Sequence, residues 1–306
     1  MLVTMAGCGA LGSLLASKMI EGGLRVQAFQ RKGAHLDVLE EKGITIQTDR
    51  KGTRKSYPLE AVSHDPSRLE KTRLMVVLVK SYHTSDIMPA RSLLEDDGVV
   101  LTLQNGLGNA EILAEGFGDA RVAAGITNYA AFRIGPGVIG WGGDGQIYLG
   151  PWKKGSPVEW VCSVLSGAGL KVNCIDDPRP FLWKKVAINA TINTLTSLTG
   201  LENGKLLNHG NLLTMMQNVC EETRLAASRE GVALQGEELW QMVRDTMDLT
   251  ATNRSSMLQD LEKGRRTEIE SIAGKILELA QDEGEFPYTR TLYNLIKAID
   301  QSRFPQ

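Results

Sequence analysis

The sequence has no long apolar run: its longest aliphatic stretches, such as MVVLV at 75–79, are strand-length and far short of the roughly 20 residues needed to span a bilayer as a helix. No membrane association is expected. The first residues, MLVTMAGCGALG, have no basic n-region and no apolar h-region, so nothing there suggests secretion. Neither charge is in excess. A formal net charge of -2 gives no electrostatic reason to expect nucleic acid or an anionic membrane as a partner. Cysteine is scarce, and Cys8, Cys162, Cys174 and Cys220 show no CxxC or metal-type spacing. Reduced thiols in a cytoplasmic protein are the simple reading. The four histidines are scattered, none near a second metal ligand, so no metal is expected. Repeats, low-complexity tracts and long charge runs are also missing.

What remains is an ordinary globular composition, 306 residues with 42% hydrophobic and 23% charged, enough for one large or two medium domains. The first half alternates short buried runs with helical patterns. LVTMAG, LRVQAFQ, RLMVVLVK, GVVLTLQN and RVAAGI read as strands, and residues 10–22 and 82–95 as amphipathic helices. That alternation predicts βαβ units and a parallel, doubly wound sheet of Rossmann type. Residues 43–62 break the rhythm as a polar-tipped hairpin, and the glycine-dense 133–150 suggests another hairpin at the sheet edge.

After LKVNCIDDPRP no strand pattern recurs. Helical periodicity covers roughly 181–199, 205–230, 236–263, 267–283 and 289–302. Pro178 and Pro180 stiffen the natural junction. The expectation is therefore an α/β domain over 1–177 followed by an all-α domain over 178–306. The apolar faces of those helices suit a core and equally a homodimer contact.

GCGALG, with Gly7, Gly9 and Gly12, follows the first strand and opens the first helix. In that context Gly7 permits the tight turn, Gly9 lets a pyrophosphate approach the backbone, and Gly12 lets helix pack on strand. Cys8, Ala10 and Leu11 share the loop, and the helix N-terminus faces the phosphates with free N–H groups. The end of the second strand selects the dinucleotide. An NAD site usually has Asp or Glu there; this chain has Gln30, Arg31 and Lys32, cations suited to the 2′-phosphate of NADP(H).

Ligands of an open parallel sheet collect beyond the carboxyl ends of its strands. Lys80 ends MVVLVK, and Asn105 follows VVLTLQ. Lys80 fits a strand-terminating charge as well as a ligand contact, and Asn105–Gly106 fits a turn. In WKKVAINATIN, residues 183–193, Lys185, Asn189 and Asn193 recur every four residues and so share one face of an α-helix. Buried polar groups need partners; a solvated face or a bound polar substrate would each supply them. A second cluster, TNRSSMLQDLEKGRRTEIE at 252–270, offers Asn253, Ser255 and Ser256 as hydrogen-bonding groups. Glu268 follows, and Thr267 with Glu270 fits a capping box.

Taken together, GCGALG, Lys80, NGLG at 105–108, LWKKVAINATINTLT at 182–196 and NRSSMLQDLEKGRRTEIE at 253–270 resemble the ketopantoate reductase (2-dehydropantoate 2-reductase) family over essentially the full length. The last two motifs are the specific ones. The resemblance implies a Rossmann domain joined to a helical domain, with the active site in the cleft between them. It also implies NADPH-dependent reduction of ketopantoate to D-pantoate, a step toward pantothenate and coenzyme A. Carried over by motif, Lys185 is the general acid, and Glu268 binds substrate and helps keep that lysine charged. Ser256 matches the serine that engages the substrate carboxylate, and Asn189, Asn193 and Asn253 match pocket amides. Lys80 and Asn105 match residues near the nicotinamide ribose and the reacting carbonyl, and Arg31 matches the 2′-phosphate contact. The chain departs from the family at Thr194, often Pro, and slightly in QNGLG. Neither departure removes a reacting group. Two other readings stay open: an NADP-dependent reductase of another 2-keto acid, and a non-catalytic NADP(H) sensor.

Overall fold

The computed structural model describes residues 1–49 and 51–304. The strand and helix alternation of the first half is realised as β1 (Leu2–Ala6), α1 (Ala10–Glu21), β2 (Arg25–Phe29), α2 (Ala34–Lys42), β3 (Ile44–Gln47), β4 (Arg54–Tyr57), β5 (Val62–Ser63), β6 (Thr72–Val77), β7 (Leu94–Thr102), α3 (Asn109–Phe117) and β8 (Val122–Thr127). It continues through β9 (Ala130–Gly135), β10 (Val138–Gly143), β11 (Ile147–Pro151), α4 (Glu159–Gly167) and β12 (Val172–Cys174).

Eight strands form one sheet in the order β12-β11-β8-β7-β6-β1-β2-β5. Every pairing from β5 to β8 is parallel, while β11 joins β8 antiparallel. Val3, Met5, Leu74, Val76 and Leu101 are fully buried, as the near-continuous apolar strands of a sheet covered on both faces require. Thr4 and Gln27 interrupt that pattern with their polar groups hydrogen-bonded. Gln27 Nε2 donates to Thr4 Oγ1 at 2.9 Å, and Thr4 and Thr72 share a 2.8 Å hydroxyl bond. Strand order reverses between β1 and β6, which makes their carboxyl ends the topological switch point where open α/β sheets bind ligands.

Three expectations for this half need correction. Residues 82–95 form 3₁₀ turns, Ser81–His83 and Ser85–Leu93, rather than an α-helix. Pro89 lies inside the second, where it lacks an amide donor and clashes with α-helical register. The 133–150 stretch is not one hairpin at the edge of the main sheet. Its end, β11, does join that sheet, but β9 and β10 pair with β3 and β4 in a second sheet of order β4-β3-β10-β9, where Ile46 and Ile139 pair across β3 and β10 and are both buried. Cys162 and Cys174 are not free thiols but a disulfide between α4 and β12. Packing of the helix beside the strand brings their Cα atoms to 6.0 Å, a spacing the bond spans. Cys8 and Cys220 are free and buried.

Beyond Cys174 the described residues contain no strand. The helices are α5 (Arg179–Ile188), α6 (Thr194–Thr199), α7 (Gly210–Arg229), α8 (Gly236–Leu249), α9 (Ser256–Glu262), α10 (Lys275–Leu277) and α11 (Pro287–Arg303). A π-helical turn, Asn189–Asn193, joins α5 to α6, and a second, Glu270–Gly274, precedes α10. The 236–263 pattern is two helices, and the 267–283 pattern leaves the helix after Leu277. Val219, Val243, Met247, Ile276 and Ile296 are fully buried in the core of this part. None of the described helices is long and apolar enough to cross a membrane.

The chain divides into two compact units, Met1–Gln104 with Asn109–Pro178, and Asn105–Gly108 with Arg179–Gln306. The NGLG loop thus belongs to the helical unit and not to the sheet in which it is embedded in sequence.

Candidate functional site

The glycine loop leaves β1 with Gly7 at φ +94°. A Cβ there would lie 2.6 Å from Val79 Cγ1 and 2.8 Å from Val79 N, so only glycine fits where the ends of β1 and β6 meet. At Gly12 a Cβ would lie 2.1 Å from the Gly7 carbonyl oxygen. Gly9 differs from both: nothing stands within 4 Å of its missing Cβ. It is also the N-cap of α1, with no side chain capping the helix. The first amides of a helix have no intrahelical acceptor. An open glycine beside them leaves room for a pyrophosphate to approach the backbone.

The loop backbone is held from behind. Cys8 N donates to Gln30 Oε1 at 2.9 Å, and Ser13 Oγ donates to the Cys8 carbonyl at 2.8 Å. His35 on α2, 7% exposed, lies with Nε2 2.6 Å from the same carbonyl, while its Nδ1 accepts from Gly137 N at 2.9 Å. A backbone N–H can only donate, so the proton is assigned to Nε2 and the ring is neutral. Desolvation lowers the His35 pKa below 6.5, the Cys8 carbonyl bond opposes it, and Arg133 adds to it. Burial pushes the Cys8 thiol up to about 12. Sequence reasoning passed over Ser13 and His35, since neither is part of the glycine pattern.

At the end of β2, Arg31 and Lys32 are exposed. Arg31 Nη1 donates to His83 Nε2 at 2.7 Å, and His83 Nδ1 lies 2.7 Å from Asp86 Oδ2. Gln30, which stands where an NAD site places a carboxylate, is occupied by the Cys8 amide. An open cavity of about 290 Å³ adjoins Lys32, with Leu36, His64 and Arg68 among its walls.

Lys80 follows β6 and leads into the Ser81–His83 turn, its carbonyl accepting His83 N at 2.7 Å. Asn105 belongs to the other unit. There Gly106 has φ +83° and packs on Ser271, where a Cβ would come within 2.4 Å of Ser271 Oγ. Leu107 N donates to Ser271 O at 2.8 Å.

The Lys185 stripe is not a simple α-helical face. Asn189 and Asn193 bound a π turn, whose wider pitch rotates the second asparagine relative to the α-helical expectation. Hydroxyls of Thr191, Thr194 and Thr196 bond back to the carbonyls of Ala187, Ala190 and Ile192, helping to satisfy acceptors around the irregular turn. Asn189 and Asn193 are 5% and 7% exposed, and Asn189 Nδ2 is buried without a hydrogen-bond partner among the described residues.

Two adjacent lysines meet different fates here. Lys184 pairs with Glu238 at 2.7 Å. Lys185 is half-buried, and desolvation, the sole cause, lowers its pKa from 10.5. Glu268 is buried, 7% exposed, in the same unit. The capping box fails. Thr267 bonds to Asp300, its hydroxyl at 2.6 Å from Oδ2, and Glu270 accepts from Tyr293 OH at 2.9 Å and from Lys297. Distant α11 thus takes the place of the local partner.

In the second cluster Ser255 is buried and caps α9, accepting from Leu258 N at 3.2 Å. Asn253 and Ser256 flank it and are exposed. No group of three or more His, Cys, Asp or Glu among the described residues is arranged to hold a metal ion.

Residues 3–154 match the family described as ketopantoate reductase PanE/ApbA, and residues 178–300 match its C-terminal counterpart. The chain is 34% identical over 300 residues to a 2-dehydropantoate 2-reductase of Halobacterium salinarum, covering 97% of this chain and 98% of that one. It superposes with TM-score 0.88 and 28% identity on a PanE/ApbA family ketopantoate reductase from Ralstonia eutropha, over 99% of both chains. With TM-score 0.92 and 24% identity it also shares the fold of a D-mandelate dehydrogenase solved with NADH and anilino(oxo)acetate, again over 99% of both.

Proposed function

The chain belongs to the ketopantoate reductase family of oxidoreductases, and from that premise we propose that it reduces the keto group of 2-dehydropantoate to D-pantoate with NADPH. NADPH, when bound, supplies the hydride to the ketone carbon. The observation that carries the reading is the desolvated Lys185 beside the buried amide of Asn189 one turn further on, whose Nδ2 has no hydrogen-bond partner among the described residues. A buried donor without an acceptor is costly in a folded protein, and a polar ligand removes that cost.

Gly9 and the first turn of α1 hold the pyrophosphate, and Arg31 with Lys32 holds the 2′-phosphate. A cytoplasmic reaction is in keeping with this reading. Lys185 Nζ stabilises the negative charge that grows on the ketone oxygen and then gives it a proton. Its lowered pKa makes it a better acid near neutral pH. The negative charge of the bound keto acid offsets the ammonium, and Glu268 helps to keep it charged. Asn189 Nδ2 donates to the substrate, Asn193, Asn253 and Ser256 complete the polar contacts, and Glu268 accepts from a substrate hydroxyl. Lys80 and Asn105 serve the nicotinamide ribose and the carbonyl.

The decisive experiment is NADPH consumption by the purified protein with a panel of 2-keto acids. Turnover of 2-dehydropantoate above all others is expected. The fold shared with a D-mandelate dehydrogenase supports a second reading, reduction of a different 2-keto acid such as an aryl one, and faster turnover of such a compound would select it. Tight NADPH binding without turnover of any keto acid would instead mark a sensor.

A further inference from the structure

We propose that His35 is a positioning residue for the dinucleotide loop: its neutral ring, bonded to the Cys8 carbonyl and to the Gly137 amide, holds the Gly7–Gly12 turn in its cofactor-binding shape, and protonation releases that hold. The inference rests on the reading that this turn binds NADPH.

The Cys8 carbonyl and the Gly9 N–H belong to one planar trans peptide, in which oxygen and hydrogen point in opposite directions. His35 Nε2 at 2.6 Å and Ser13 Oγ at 2.8 Å draw the oxygen inward. The Gly9 N–H is thereby aimed outward, on the residue whose missing Cβ faces open space. The other side of the ring is anchored as firmly. Gly137, at φ +67° in the β9–β10 turn, packs so closely on α2 that a Cβ would lie 2.4 Å from Val38 Cγ1. Its amide therefore stays within reach of Nδ1 at 2.9 Å. His35 thus couples the second sheet to the phosphate loop across residues 102 positions apart.

Protonation of Nδ1 would set two donors against each other and forfeit the Gly137 bond. The new charge would be buried beside Arg133, which repels it, and Cys8, whose thiol stays neutral and offers no compensation. Burial holds the His35 pKa below 6.5. The neutral, loop-holding form prevails at pH 7, and the hold weakens as pH falls below that value.

The test is NADPH affinity of the full chain by fluorescence titration, from about pH 8 down to about pH 5, for wild type, His35→Gln and His35→Leu, with KM for NADPH and kcat in parallel. Wild type should weaken toward acid pH. His35→Gln keeps a donor for the Cys8 carbonyl and cannot titrate, so it should bind like wild type at the alkaline end and lose the acid weakening. His35→Leu should bind about tenfold more weakly at every pH, with KM for NADPH moved more than kcat. Acid weakening that survives in His35→Gln, or wild-type affinity in His35→Leu, overturns the assignment. Failure of wild type to bind NADPH at any pH overturns the cofactor reading first, and this inference with it.

Discussion

Thr196 Oγ1 and Ser255 Oγ share a buried hydrogen bond of 2.7 Å. It joins the two segments most specific to the family, the lysine–asparagine stripe and the serine cluster, at the point where the π turn gives way to α6. Because Ser255 also accepts the Leu258 amide, its hydroxyl is committed to the fold. Its neighbours Asn253 and Ser256 are the ones left exposed.

That division of labour is testable by two adjacent substitutions. Ser255→Ala should lose about 0.5–2 kcal/mol of stability, as for other helix N-caps, seen as a lower denaturation midpoint. Ser256→Ala should leave the midpoint in place and raise KM for the keto acid several-fold. The reverse assignment of the two effects would remove Ser256 from the site.

Replacing Lys185 by Met keeps the length of the side chain and removes its charge. Turnover should fall by about 10²–10⁴-fold, the usual worth of a positioned acid, with NADPH binding retained. Since the lost ammonium is desolvated, thermal stability should rise, a trade of stability for activity common at such sites. Unchanged turnover would dismiss Lys185 as the acid.

The pH dependence follows from the same shift. Ketone reduction uses the protonated amine, so kcat should decline as pH rises through a value below 10.5. Folding linkage has the matching sign: the folded state releases this proton more readily, so its contribution to stability rises with pH between the folded and unfolded pKa values. A pH–rate profile of kcat with no alkaline break below 10.5 would contradict the assignment.

Arg31→Ala should weaken NADPH about 10- to 100-fold, the range for a charge-assisted hydrogen bond, and leave NADH nearly unaffected. The check is the ratio of kcat/KM for the two cofactors. A constant ratio would transfer 2′-phosphate recognition elsewhere, with Lys32 the first candidate.

Two glycines of one motif should fail in opposite ways. Gly12→Ala drives a methyl to 2.1 Å from the Gly7 carbonyl and should destabilise the protein by about 1–3 kcal/mol or more. Gly9→Ala meets nothing in the free protein, so its melting temperature should stay near wild type while KM for NADPH rises. Calorimetry beside kinetics separates the two.

Much of this protein was legible locally. The spacing of Gly7, Gly9 and Gly12 encodes a turn because backbone φ and close approach are properties of single positions. Strand runs such as MVVLV and the helical periodicity after Pro178 encode the α/β-then-α order for the same reason. Pro89 was a legible breaker whose effect the apolar periodicity of 82–95 masked. The choice of partners was not local. Nothing near Cys162 in sequence points to Cys174, nothing in TEIE says that Asp300 will reach Thr267 before Glu270 does, and nothing in RKGAHL says that His35 will meet Gly137. Lys184 and Lys185 are chemically identical neighbours, yet one is paired with Glu238 and the other is desolvated by burial. Residue type, period and glycine demand were thus settled by the chain itself, whereas dielectric surroundings and hydrogen-bond partners were decided by which distant segments tertiary packing brought alongside.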